Sequence, residues 1–578
     1  INKVPNEDTR YRTLINLSVK YQINDYFSIQ ARGSADYIVD KDNTRMYAGT
    51  SPILCGMNAA GTGTNGRYSY NEQSELSTYG DVLFTYQQQF ENFSFNASVG
   101  GSINDYNGNG TGFDSYPGTL SIPNVFTMQN VTLNAGSLSD WKKHTQSQSV
   151  FFTGQIGLKD QLFLDVTARN DWTSTLAYTK YKNKGFFYPS VGLTWIMSNS
   201  IKLPEWINFS KFRGSFAQVG NDLPIGITNL ADIIQCGGSI QTNDIEQRGD
   251  LKPEISTSIE FGTEWKFFNN RFGIDFTWYR TDTKNQLLRV ANPAGSLYAF
   301  RYINAGKIRN TGIELTLEGT PLMNENFRWK TAVNMSMNRN KVVSLHKDYK
   351  SFRYGSEGFS MAYDMWVKEG GKLGDIYGNG FERDENGKIK LNETGNPIKV
   401  TGNNTLLGNA NPDALLGWSN TFTYKGFTLY FLIDARIGGD VMSLTQAHLD
   451  AMGVSKESGE SRDRGYVEYE GIQFKDVPNF YGTVGGRNGI SEYYMYDATN
   501  VRLRELTLGY SFPETLLAKT KFIKGLDLTL VARNLFFLYK DAPFDPDATL
   551  SVGNTLQGVD VFGMPTTRNI GFNVKFTF

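Results

Sequence analysis

In residues 570–578, Ile570, Phe572, Val574, Phe576 and Phe578 alternate strictly with Gly571, Asn573, Lys575 and Thr577. A period of two places the apolar set on one face of a strand and the polar set on the other. The pattern recurs along the chain. Ile15, Leu17, Val19, Tyr21 and Ile23 alternate with Asn16, Ser18, Lys20 and Gln22, and Phe27, Ile29, Ala31, Gly33, Ala35 and Tyr37 resume the apolar row after Asn24-Asp25. Asn and Asp tolerate the positive φ of a tight turn, so these two rows form a hairpin. Lys159-Asp160, Asn269-Asn270 and Lys425-Gly426 sit at the same place in later hairpins. Counting such rows gives about 17 strands, most near the ~9–11 residues that a tilted strand needs to cross a bilayer. The fold class is all-β and antiparallel.

Several alternatives are removed by composition. In 578 residues, of which 39% are hydrophobic, no apolar run approaches the ~18 residues of a transmembrane helix. Neither a Pro/Ser-rich linker nor a charge block divides the chain, which favours one large sheet over several domains. A formal charge of −1 offers no basic footprint for nucleic acid. A propeller would show a blade repeat, and none is visible.

Connection length adds direction. Long segments, at about 38–78, 103–147, 221–254, 340–413, 438–499 and 540–567, alternate with tight turns. Short turns at one end and long loops at the other are the habit of outer-membrane barrels, with the long loops extracellular. Trp172, Trp195, Trp265, Trp278, Trp329 and Trp418 lie near strand ends, where interfacial aromatic girdles form.

Specific blocks then resemble a family. Leu251-Lys252-Pro253-Glu254 leading into the strand before Asn269-Asn270-Arg271, and the run from Asn304-Ala305-Gly306 to Gly312-Ile313-Glu314, resemble the mid-barrel of TonB-dependent outer-membrane transporters. Tyr188-Pro189-Ser190-Val191, Leu407-Gly408-Asn409-Ala410-Asn411-Pro412-Asp413, residues 501–510, Arg533-Asn534-Leu535-Phe536 and Asp545-Pro546-Asp547 narrow the resemblance to the SusC/RagA branch, from Tyr11 onward. This resemblance implies a barrel of 22 strands, a plug preceding it, a SusD-like surface lipoprotein closing over the long loops, and TonB with its inner-membrane motor proteins pulling on the plug. The cargo implied is a glycan or an oligopeptide. No plug sequence is found here, so residues 1–578 are expected to form the C-terminal three-quarters of one barrel, with roughly five strands preceding them. The terminal strand, with Phe572, Val574, Phe576 and Phe578 facing lipid, is expected to carry the barrel assembly signal and to end in the periplasm. A passive porin, or a surface receptor or adhesion barrel, is the alternative.

Catalytic chemistry finds little support. His144, His346 and His448 are scattered and accompany no Cys or carboxylate at metal-ligand spacing. No cofactor, metal or enzyme activity is expected. Cys55 and Cys236 are the two cysteines, and a disulfide between them is left open. Asp384-x-Asn386-Gly387 suits a β-turn better than a calcium loop, and Asp545 and Asp547 suit a solvated turn. Residues 440–452 suit a short loop helix. Substrate contact is expected from loop aromatics with polar edges: Tyr106, Tyr116, Trp141, Tyr298, Tyr302, Tyr466, Tyr469, Tyr481, Tyr493 and Tyr494.

Overall fold

The computed structural model describes residues 5–50, 65–116, 120–131, 137–228, 233–236, 239–242, 244–292, 295–356, 362–520, 522–551, 553 and 556–578. Cys55 lies outside the described residues, and with it the question of its pairing with Cys236. A 17-stranded antiparallel sheet dominates. Its strands are β1 (Asn6–Gln22), β2 (Phe27–Tyr47), β3 (Gly66–Gln89), β4 (Phe93–Asp114), β5 (Ser137–Leu158), β6 (Leu162–Thr173), β7 (Phe186–Ile196), β8 (Ile207–Asn221) and β9 (Glu254–Phe267). They continue as β10 (Phe272–Lys284), β11 (Lys307–Met323), β12 (Phe327–Ser344), β13 (Ala414–Tyr424), β14 (Phe427–Ile437), β15 (Asn500–Ser511), β16 (Gly525–Lys540) and β17 (Asn569–Thr577). Each strand pairs with the next in sequence, an up-and-down meander. Among the described residues β1 and β17 each have one ladder partner, β2 and β16 respectively.

Register assigns the two faces. Ile15 opposes Ala35, Val82 opposes Ala31, Phe261 opposes Trp278, and Phe572 opposes Leu530, which joins the apolar rows into one outer band. All six tryptophans named above share that face, where Trp195 stacks on Phe212 at 5.9 Å and Trp329 on Phe422 at 5.7 Å. The opposite face is polar and cross-linked between neighbouring strands. Arg32 meets Asp81 at 2.7 Å, Lys211 meets Glu264 at 2.6 Å, Arg213 meets Asp275 at 2.8 Å and Arg533 meets Glu505 at 3.0 Å. An apolar exterior with a polar interior is the arrangement of a membrane barrel.

One expectation changes. Residues 39–47, 66–77, 103–114 and 137–147 were read as loop, yet they continue β2, β3, β4 and β5, which reach 21, 24, 22 and 22 residues. Outward apolar rows stop at Val39, Leu76, Ile103 and Val150, and beyond them Lys41, Asp105, Asn107, Gln146 and His144 take the outer face. Past that level both faces meet water and the period-two signal vanishes, but the backbone ladder continues because pairing needs no apolar face. The surplus forms a ribbon of four strands rising from the wall, flanked along residues 39–44 by Asn6–Tyr11 of β1.

Candidate functional site

At the long-connection end the connections do not hang loose. The described parts of 345–413, 438–499 and 541–568 fold together around an apolar core containing Tyr363, Met365, Ile376, Met442, Leu444, Phe474, Phe480, Ile490 and Val559. Three short helices serve it: α1 (Leu444–Ala451), α2 (Lys456–Arg464) and α3 (Val477–Val484). Each begins at a capping side chain, Ser443, Ser455 and Asp476, whose oxygen accepts from a backbone N–H of the first turn. α2 stops at Gly465, whose φ of 84° is the left-handed cap that glycine adopts without strain. A four-stranded sheet of Ser351–Ser356, Tyr363–Lys368, Asp375–Phe381 and Lys399–Asn409 completes this loop body. The expected loop helix exists at 444–451, preceded by the short strand Asp440–Ser443.

Charged groups fasten the pieces. Arg383 reaches Glu470 and Glu492 at 2.7 Å each, and Glu492 accepts from the Phe381 N–H at 2.8 Å. Arg383 holds the Glu470 carboxyl below its ordinary range. Asp450 accepts from Gln446 at 2.9 Å and from Ser455, while burial pushes its carboxyl above the usual range. The turn at Asp384 closes as expected, its Oδ1 accepting from the N–H groups of Asn386 and Lys388 at 2.8 and 2.9 Å.

The junction with the wall was missed. Arg502, on the inner face of β15, is 2% exposed; it contacts Asp545 at 3.4 Å and Asp547, with its guanidinium 4.5 Å from the Phe537 ring centre. Arg436 approaches Asp547 at 3.6 Å, and Arg504 reaches Asp434 at 3.1 Å. Asp545 and Asp547 are therefore not a solvated turn: they dock the 541–568 connection onto the barrel. A signal existed in the sequence, since Val501-Arg502-Leu503 puts an arginine inward between two outward apolar residues.

Two smaller cores join the remaining connections. Leu288, Val290 and Ile303 pack with Val342, Phe352 and Val367, while Leu176, Leu223, Ile227 and Leu251 pack with Tyr302. The described parts of 174–185, 222–253 and 285–306 are thus tied to the wall and, through 342–367, to the loop body.

The expected contact residues separate into groups. Tyr481 and Tyr494 are 2% and 1% exposed. With Tyr469 and Tyr493 they pack around Phe480, with Tyr493 4.9 Å from Tyr469 and 5.0 Å from Tyr494. These four are core, because a connection this long has enough apolar side chains to bury some of its own. Tyr302 is core in the same sense. Tyr298 is half-buried, its carbonyl accepting from Asn292 at 3.1 Å. Tyr466 lies under Arg464 at 5.0 Å, and Tyr116 is exposed beneath Arg67, also at 5.0 Å.

Tyr106 and Trp141 come together on the inner face of the ribbon. Trp141 opposes Gly110, and Tyr106 opposes Thr145. A Cβ on Gly110 would meet the indole at 2.5 Å, and one on Gly108 would meet Trp141 at 3.2 Å and the Tyr106 hydroxyl at 2.7 Å. The glycines of β4 are what let the indole lie against the strand. Lys143 stands 4.8 Å from its ring centre. An aromatic shelf of this kind offers a flat apolar surface bordered by hydrogen-bonding groups, suited to the face of a sugar ring or to a peptide side chain. Among the described residues no three His, Cys, Asp or Glu side chains converge as a metal site.

A meander with a lipid-facing exterior, charged interior and built-up mouth defines an outer-membrane β-barrel, and the comparisons specify which kind. The family model described as TonB dependent receptor-like, beta-barrel matches residues 2–535, so the chain belongs to that family, one of receptors and transporters rather than enzymes. It is 25% identical over 555 residues to the TonB-dependent receptor P3 of Formosa agariphila, covering 89% of this chain and 54% of the relative. It is 24% identical over 566 residues to the TonB-dependent receptor SusC of Bacteroides thetaiotaomicron, covering 91% and 52%. The chain thus spans about half the length of these relatives. The structure of the RagAB peptide transporter superposes with a TM-score of 0.77 at 17% identity, covering all of this chain and 63% of that one, which shows the same fold. Fold class and the TonB-dependent receptor family were both legible in the sequence.

Proposed function

We propose that the chain forms most of the barrel wall and the outer mouth of an active importer of oligosaccharides or oligopeptides. The long-connection end faces the cell exterior and the short turns face the periplasm, where β17 also ends. A SusD-like surface lipoprotein closes over the loop body, and TonB with its motor proteins acts on a plug contributed from outside residues 1–578. An open sheet edge is untenable in lipid, so β1 and β17 require closure by further strands. The outward row Phe572, Val574 and Phe576 of β17, with Phe578 directly after the strand, is what assembly machinery reads.

The observation that carries this reading is the loop body itself: a folded, buried-core structure docked on the wall through Arg502 gives a lid a rigid surface to meet. Support also comes from the relative named SusC and the fold shared with the RagAB peptide transporter. Tyr106, Trp141 and Tyr116 are the expected residues still offering surface to cargo beside the mouth, with Tyr298 and Tyr466 at its rim.

Uptake of labelled oligosaccharides and oligopeptides by cells with and without the gene tests the reading. Gene-dependent accumulation abolished by a protonophore is expected. Gene-dependent entry indifferent to the protonophore identifies a passive porin, and no gene-dependent entry of either class leaves a receptor or adhesion barrel.

A further inference from the structure

On the outer face of β10, β11 and β12, the apolar band ends at Trp278, Ile313 and Met337, which lie level with one another in the ladders. Beyond it every outward residue up to Lys284, Lys307 and Lys341 is charged except Thr311. Arg280, Lys307 and Arg309 gather around Asp282 at 3.2, 3.3 and 2.7 Å. Asp282 is the one carboxylate on the outer face of these three strands. Three further cations, Lys284, Arg339 and Lys341, share that face. They are exposed and have no ion-pair partner among the described residues.

The spacing is unfavourable for an isolated protein. Lys341 lies directly opposite Arg309, and Lys284 directly opposite Lys307, and like charges at opposed positions destabilise a sheet. On the inner face the same hairpins are covered, with Ile308 and Val342 buried. Packing therefore does not explain the cations, which point away from every loop core and stand immediately above the lipid-facing band. Resting on the outward orientation of this end proposed above, we infer that this patch binds the phosphorylated headgroup of an outer-leaflet glycolipid. Guanidinium groups pair with phosphate oxygens in a forked geometry. Acyl chains of the same molecule run down over Trp278, Ile313, Met335 and Met337. A glycolipid carrying phosphates matches both halves of the surface at once: several cations at headgroup level and an apolar wall beneath them.

The test uses the full-length protein, extracted in mild detergent and reconstituted with bisphosphorylated lipid A, monophosphorylated lipid A or phosphatidylglycerol, with retained lipid read by native mass spectrometry. Retention is expected to rank in that order, to survive excess inorganic phosphate, and to fall about tenfold or more in an Arg339→Ala/Lys341→Ala variant. Neither side chain has an ion-pair partner among the described residues, so the variant is expected to keep the wild-type heat-modifiable mobility of a folded barrel. Lys341→Glu alone provides a second, charge-reversed reading. Equal lipid A retention by wild type and both variants overturns the site, as does displacement by inorganic phosphate. Orientation is checked separately, by labelling Glu385→Cys with a membrane-impermeant maleimide on intact cells in a background where Cys55 and Cys236 are serine. Absence of labelling defeats the orientation, whereas labelling combined with charge-independent retention defeats the lipid site alone.

Discussion

The ribbon of β2–β5 and the loop body both rise from the same end of one barrel, but different forces hold them. Beyond the membrane the ribbon is a wet ladder: its backbone groups are paired while its side chains face water on both sides, and its small tip core contains Phe113, Leu120 and Val131. The loop body has little continuous sheet and a large buried core. Backbone pairing therefore maintains the first, and burial of apolar area the second. A ribbon tolerates polar substitution on either face, whereas a body packed around Phe480 and docked through Arg502 does not.

The largest effect that separates the two is expected from the docking arginine. Arg502→Ala leaves Asp545 buried without its cation, a change of roughly 3–5 kcal/mol. Hydrogen exchange at 541–551 and 556–568 is expected to rise steeply while exchange at 105–114 stays as in wild type; a uniform rise would show that both regions share one cooperative unit. Phe480→Ala is expected to cost a comparable ~3–5 kcal/mol, again confined to the body, and limited proteolysis within 438–499 reads it.

Gly110→Val acts on the other region. Its side chain collides with the Trp141 indole, for about 1–3 kcal/mol of local overpacking. Ribbon exchange is expected to increase modestly, with quenching of cargo-induced Trp141 fluorescence change if the shelf holds cargo. Retention of the wild-type fluorescence response would take the shelf out of cargo binding.

Mild acid sharpens the comparison further. Asp450 has a carboxyl raised by burial, so the folded body binds more protons than the unfolded chain between the ordinary carboxylate range and its raised value. Stability of α1 and α2 is then expected to rise as pH falls from neutral toward that range. The Arg383–Glu470 contact has the opposite sign: Glu470 is lowered, and its contribution is lost only as pH falls through its depressed value. Hydrogen exchange of 444–464, corrected for intrinsic rates, is the measurement. Smallest of all is Arg10→Ala on β1, whose pair with Asp40 is exposed and is expected to leave thermal unfolding unchanged.

These two regions also explain what the sequence disclosed. Where one face meets lipid and the other the lumen, as at Ile570 to Phe578 or Ile15 to Ile23, alternation is forced and the strands are legible. In the ribbon both faces are wet, so Tyr106 and Trp141 read as loop although they lie on strands. The body's core is assembled from segments as distant as Tyr363 and Val559, and no short stretch of it has a period of its own. That is why Tyr469, Tyr481, Tyr493 and Tyr494 looked like surface aromatics. Arg502 was hidden for a related reason, since its partners lie across a separate connection.

An importer of the proposed kind works its outer mouth against a lipoprotein lid. Purification of the full-length protein from its native outer membrane in several mild detergents, with mass spectrometry of everything retained, tests it most directly. A stoichiometric surface lipoprotein, lost when Arg502→Ala detaches part of the loop body, is the expected result. Recovery of the folded barrel without any lipoprotein in every detergent would contradict it.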